Sequence, residues 1–173
     1  MQKLMNWLVK PPVDGPAAIL LVRLMTGGVF FSEGLLKFVY VNQGVGRFTK
    51  IGIPFPPFSA TAIGLLEICG GAMLMLGLFT RVLSLIFVIE MVVAVLSTKV
   101  SLYLGTSPLP LPPSPPQVGL WAVLHESRSD YAQLMTCAFF SIVGPGRVSL
   151  DHWLRHGPRE DPTHTPMMAR PTS

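Results

Sequence analysis

Four ionisable side chains lie within long apolar stretches of the sequence: Arg23, Glu33, Glu67 and Glu90. An ionised group at the centre of a membrane helix costs at least about 2.5–3.5 kcal/mol, so each of these groups requires a partner or water. Groups of this kind commonly mark binding sites, proton relays or ion pathways. What they can do here depends on the helices that carry them.

Helical geometry places part of this set on one face. At about 100° per residue, Arg23, Glu33 and Lys37 share a face of the first apolar stretch. The same face carries Gly27 and Gly34. Because small residues permit the close approach of two helices, this polar stripe is predicted to point into a helix bundle.

The remaining two carboxylates are predicted to face the same interior. Glu67 shares its helix face with Gly64 and Gly71. Depth in the membrane can be counted at ~1.5 Å per residue from the helix ends on the side of the chain termini. This places Arg23 at a depth of roughly 10 Å, Glu90 at roughly 13 Å and Glu67 at roughly 18 Å. We therefore hypothesise an ion pair of Arg23 with Glu90 or with Glu67, the second carboxyl being protonated or hydrogen-bonded.

A second polar group precedes the fourth apolar stretch and is expected at the depth of Glu33 and Lys37. This outer-interface cluster consists of His125, Glu126, Arg128 and Asp130. Two interpretations stay open: a pocket that holds a small polar or aromatic ligand or relays protons through His125, and a salt-bridge cluster that docks the helices. The interfacial position favours the second, because charges are cheaper to keep there.

The sequence shows no metal or cofactor motif. His152 and His156 are four residues apart, but we expect no carboxylate or thiol near them in the folded chain and therefore no metal site. No dinucleotide fingerprint, G-x-S-x-G motif or haem-attachment motif is present. No cofactor is evident, and no catalytic centre of the kind found in soluble enzymes can be recognised.

Composition indicates lipid as the solvent. Of the 173 residues, 50% are apolar and 13% are charged, where a soluble domain has about 25% charged residues. The mean hydropathy is +0.52. The net charge of +4 does not indicate a nucleic-acid partner, because the basic residues are scattered and no basic-aromatic strip follows a helix. The chain is predicted to be an all-α, polytopic membrane protein.

The apolar stretches predict a bundle of four transmembrane helices, at about residues 16–39, 59–79, 82–98 and 127–144. Ser59 is expected to cap the second helix and Ser127 the fourth. The second and third are separated by two or three residues, which predicts a tight antiparallel hairpin. The remaining divisions are an N-terminal segment 1–15, a membrane domain 16–151, a Pro-rich loop 105–118 within it, and a polar tail 152–173.

Charge outside the helix interiors predicts the orientation. Four crossings put both termini on one side of the membrane, with seven Lys and Arg on that side and five on the other. The positive-inside rule therefore favours cytoplasmic termini.

Four short motifs occur in a recognisable order: Arg23 in the first helix, residues 31–37 at its end, residues 66–81 across the hairpin, and residues 144–151 after the fourth helix. In this order they resemble the DoxX family, and residues 125–130 look like one bacterial branch of it. The resemblance covers about residues 16–154. It implies a four-helix protein of the bacterial inner membrane, in a family associated with thiosulfate:quinone oxidoreductase small subunits, superoxide dismutase–sulfurtransferase membrane complexes, and catechol or quinone detoxification.

From this resemblance we expect an accessory subunit or anchor of a membrane redox system that handles quinones or sulfur compounds, and not a stand-alone enzyme. Quinone is the expected ligand, and the lipid bilayer, other redox proteins and further copies of the chain are the expected partners. The interior ionic residues would organise the bundle or a small-ligand site. Two alternatives stay open: a small-solute carrier or permeability factor, and a structural assembly factor without chemistry.

Overall fold

The computed structural model describes Trp7 and residues 13–156. Within residues 13–156 the chain forms helices and no strand. In chain order the helices are α1 (Ile19–Val39), α2 (Val45–Lys50), α3 (Pro56–Leu76), α4 (Thr80–Leu104), α5 (Leu120–Glu126), α6 (Arg128–Val143) and α7 (Leu150–His156). The predicted all-α class is confirmed.

Three of these helices, α1, α3 and α4, are long and apolar enough to cross a membrane. They have 21, 21 and 25 residues, so at ~1.5 Å per residue each covers more than the ~30 Å hydrocarbon core. The fourth bundle helix, α6, has 16 residues and spans only ~24 Å. It follows the short helix α5 after a single residue, Ser127.

The outside of the bundle is apolar. Leu21, Phe58, Ile89 and Ile142 are each at least 65% exposed. Such a belt of large apolar side chains is unfavourable in water and suits contact with lipid chains.

The two helices of the predicted hairpin, α3 and α4, are not each other's main packing partners. The closest packing joins α1 to α3 and α4 to α6, whereas α3 and α4 are connected by a short turn and approach each other at fewer points. Glycines explain the first pair: a Cβ on Gly27 would lie 2.6 Å from the Gly71 carbonyl oxygen, and one on Gly34 would lie 2.8 Å from that of Gly64. Backbone therefore meets backbone along α1 and α3.

The core lies where α1 and α4 meet in the middle of the bundle. The rings of Phe30 and Phe87 are stacked with centroids 3.9 Å apart. Leu74 of α3 and Cys137 and Phe140 of α6 are fully buried in the same cluster.

Several helix ends differ from the expected ones. The helix α3 begins at Pro56 after Phe55, and Ser59 lies inside its first turn, where its hydroxyl donates to the Pro54 carbonyl oxygen at 2.6 Å. The expected cap at Ser59 is therefore wrong. Ser127 does occupy the position before α6, but its side chain makes no capping hydrogen bond.

The structure describes the two ends of the chain only in part. In the expected polar tail, the described residues 152–156 belong to α7, while the N-terminal segment and the tail otherwise lie largely outside the described residues. The Pro-rich loop connects α4 to α5 without a helix. We call the end of the bundle that holds residues 13–18 and α7 the terminal end, and the opposite end the distal end.

Candidate functional site

A cavity of about 540 Å³ lies between the helices in the distal half of the bundle. Its walls come from α1, α2, α3, α4 and α6 and are mostly apolar. Polar side chains from all five helices also line it, among them Glu33, Lys37, Arg47, Glu67, Glu90, Asp130 and Gln133. We call this space the central cavity.

An ionic cluster forms one side of the central cavity. Lys37 Nζ lies 2.5 Å from Glu67 Oε2, and the two side chains are only 13% and 4% exposed. The carboxyl group of Glu90 interacts with that of Glu67 from the neighbouring helix α4. One cation and two carboxyl groups from three helices thus meet where water is scarce, and each depends on the others.

The glycine contacts between α1 and α3 put this cluster together. Lys37 lies three residues after Gly34, and Glu67 lies three residues after Gly64. A Cβ on Gly64 would lie 3.5 Å from the Lys37 Cβ atom. Because residues three apart lie on the same helix face, the close backbone approach at the glycines aligns the lysine with the carboxylate.

Arg23 does not join this cluster. It is fully buried, and its guanidinium donates to the carbonyl oxygen of Val148 at the terminal end. The opposite charge that acts on it is that of Asp151, also at the terminal end. The hypothesised ion pair of Arg23 with Glu90 or Glu67 is therefore wrong: residues 144–151 fold back over the bundle, and the long side chain reaches toward them.

The terminal end is held by hydrogen bonds between the hairpin and the segment after α6. The Asp151 carboxylate accepts from the backbone N–H groups of Phe79 at 3.0 Å and Thr80 at 3.2 Å. Arg81 donates to the carbonyl oxygens of Ile142 at 2.8 Å and Trp7 at 2.7 Å. The motifs 66–81 and 144–151 therefore meet in a structural joint, remote from the central cavity.

Replacing Asp151 by Ala is expected to destabilise the protein by about 1–2 kcal/mol, because two N–H groups at the start of α4 lose their acceptor. Thermal unfolding in mild detergent measures the loss. Arg147→Ala changes an exposed residue of the same segment and should have little effect. Equal stability of the two variants would contradict the capping role.

The outer-interface cluster is divided by the structure. Asp130 lines the central cavity and lies 3.2 Å from Lys99 Nζ. Glu126 lines an adjoining cavity of about 420 Å³ beneath the Pro-rich loop. His125 and Arg128 are exposed and hydrogen-bonded to each other. Of these four residues, only Asp130 meets Glu33 and Lys37 at the central cavity.

Gln133 is a cavity residue that sequence reasoning missed. It is 7% exposed, and among residues 13–156 neither its buried Oε1 atom nor Oε2 of Glu90 has a hydrogen-bond partner. Gln133 carries the single amide side chain in the apolar run 131–143, three residues after Asp130. This spacing could have indicated the role of Gln133, because it puts Gln133 and Asp130 on one helix face. Arg47 of α2 also lines the cavity and was not singled out.

The expectation that no carboxylate lies near His152 and His156 is also wrong. Asp14, which precedes α1, lies beside α7 at the terminal end. Metal-ligating atoms of Asp14, His152 and His156 all lie within 4.8 Å of one another.

Comparison with known proteins places these features in a family. The DoxX family profile matches residues 18–100. A Mycobacterium tuberculosis (strain ATCC 25618 / H37Rv) protein named "Uncharacterized membrane protein Rv3486" is 39% identical over 147 residues, covering 82% of this chain and 83% of that protein. The Bacillus subtilis (strain 168) protein named "Putative oxidoreductase CatD" is 28% identical over 138 residues, covering 80% of this chain and 87% of that protein. No solved structure matches. The order of motifs, the helical membrane fold and these relatives together show that the chain belongs to the DoxX family.

Proposed function

We propose that this membrane protein binds a small aromatic diol or its quinone in the central cavity and serves as an accessory subunit or anchor of a membrane redox system. The observation that carries the proposal is the cavity itself: a largely apolar space inside a membrane bundle, with buried polar atoms that have no hydrogen-bond partner in the described part of the chain. The similarity to a protein named as an oxidoreductase supports the redox setting.

The size and walls of the central cavity suit a ring compound. Its volume of about 540 Å³ lies within the range of about 300–1,000 Å³ typical of small-molecule sites. Phe30, Ile63 and Leu66 line its apolar part. An aromatic ring of one or two cycles can pack against these side chains while its oxygens face the polar side.

The partnerless atoms suit the oxygens of such a ligand. Gln133 Oε1 and Glu90 Oε2 are acceptors that a buried site must satisfy. The hydroxyl groups of a diol would donate to them. In the oxidised form, a ring carbonyl would accept a hydrogen bond from the Gln133 amide instead.

Access from the membrane is consistent with this ligand class. Ile89 and Val93 of α4 line the cavity and are also 65% and 49% exposed on the outside of the bundle. A lipid-soluble molecule can therefore approach from the hydrocarbon side. We propose further that the protein lies in the bacterial inner membrane with its termini in the cytoplasm, and that a partner protein carries the electrons.

Ligand binding can be tested on the purified protein in mild detergent. Equilibrium dialysis with short-chain ubiquinone, its quinol and catechol should show saturable binding of at least one of them. Gln133→Leu removes an amide of similar size and is expected to weaken this binding by about tenfold, the effect of roughly one hydrogen bond.

Arg128→Gln is the matched control, because Arg128 is exposed and does not line the cavity. It should bind as tightly as the unsubstituted protein. Absence of saturable binding for all three compounds, or equal affinity of the Gln133→Leu and Arg128→Gln variants, would overturn the proposal.

A further inference from the structure

Three side chains with metal-ligating atoms meet at the terminal end, on the side of the bundle remote from the central cavity. They are Asp14, from the segment before α1, and His152 and His156 of α7. One ligand atom from each residue lies within 4.8 Å of those from the other two. Ligands at ~2.0–2.1 Å from a tetrahedral zinc ion are about 3.3 Å apart, so small side-chain rotations are sufficient to close the site.

The two segments that supply these ligands are already held together. The Arg147 N–H group donates to the Gly15 carbonyl oxygen at 3.0 Å. A Cβ on Gly15 would lie only 3.3 Å from the Gly146 Cα atom, so these backbones are in contact. Asp14 is therefore placed next to α7 by the fold and needs no metal ion to reach it.

The histidine pair is arranged as ligands usually are. His152 and His156 are one helical turn apart, with ring centroids 4.5 Å apart. His156 Nδ1 lies 3.2 Å from the His152 carbonyl oxygen. With Nδ1–H donating to that oxygen, Nε2 stays free as a ligand atom, and such a hydrogen bond is the usual way in which a ligating imidazole is oriented.

We propose that Asp14, His152 and His156 form a binding site for a divalent transition-metal ion, Zn²⁺ being the best match. Two imidazoles and one carboxylate form a donor set suited to zinc and unlike the all-oxygen sets of magnesium and calcium. Three protein ligands leave a fourth position open to water. The ion would link the segment that precedes α1 to α7, the helix that follows the membrane bundle.

The site can be tested without knowledge of the redox function. Protein carrying no polyhistidine tag is stripped with a chelator, dialysed against Zn²⁺, and its metal content measured together with a calorimetric titration. One Zn²⁺ per chain is expected, with a rise in thermal stability. His156→Ala and Asp14→Asn should each weaken binding at least tenfold.

The chain supplies matched controls. His125 is exposed and hydrogen-bonded to Arg128 at the start of α6, so His125→Ala removes the same residue type from outside the site and should bind zinc normally. Mg²⁺ should not compete. Less than half an equivalent of bound zinc would overturn the proposal. So would an unchanged zinc affinity in Asp14→Asn, or a loss of affinity in His125→Ala as large as that in His156→Ala.

Discussion

Replacing Lys37 by Met is expected to destabilise the protein by about 3–5 kcal/mol, the cost typical of breaking a buried ion pair by removing one partner. Lys37 is the cation bonded to Glu67, whose side chain is only 4% exposed. Its removal would leave the interacting carboxyl groups of Glu67 and Glu90 without the lysine charge that acts on both of them. Methionine keeps the length and apolar volume of the lysine stem, so the change tests charge and not packing.

The control for this prediction is Lys50→Met, since Lys50 is exposed on α2 and should tolerate the same substitution. The double variant Lys37→Met/Glu67→Gln should recover most of the loss, because its amide can donate to the Glu90 carboxyl in place of the missing ion pair. Unfolding in detergent, followed by circular dichroism, gives all four stabilities. A double variant no more stable than Lys37→Met alone would contradict this account of the cluster.

The sequence was sufficient to predict that these charges point inward. Ionic residues in apolar helices are costly to expose to lipid, and glycines on the same helix face indicate contact with another helix. Lys37, Glu67 and Glu90 do meet inside the bundle. The sequence could not predict which cation joins the carboxylates. Depth along a helix does not fix the direction in which a long side chain extends, and Arg23 reaches the opposite way, to Val148.

The sequence also could not predict contacts between segments that are distant along the chain. Gln133 appeared as one polar residue in an apolar run, and its place at the cavity depends on the packing of α6 against α4. Asp14 reaches His152 and His156 only because the backbones at Gly15 and Gly146 touch. No local periodicity reports such contacts, since periodicity describes a helix face and not the element that covers it.

The second large effect is expected at the glycine contact between α1 and α3. Gly27→Ala should destabilise the protein by about 2–3 kcal/mol, because the added Cβ would lie 2.6 Å from both the Gly71 carbonyl oxygen and the Met75 Cγ atom. The carbonyl belongs to the backbone and cannot move without shifting α3. Thermal unfolding in mild detergent measures the change.

Gly28 provides the matched control, because it is the next residue of α1 and a Cβ there would lie within 4 Å of no atom in the part of the chain that the structure describes. Gly28→Ala should be neutral or stabilising by up to about 1 kcal/mol through helix propensity. The stability changes of the two neighbouring substitutions are therefore expected to differ in sign. A general preference for glycine in membrane helices would not explain such a difference. Because the same helix contact aligns Lys37 with Glu67, Gly27→Ala should also weaken the ligand binding proposed for the central cavity. Similar stabilities for the two variants would show that close backbone approach does not set this alignment.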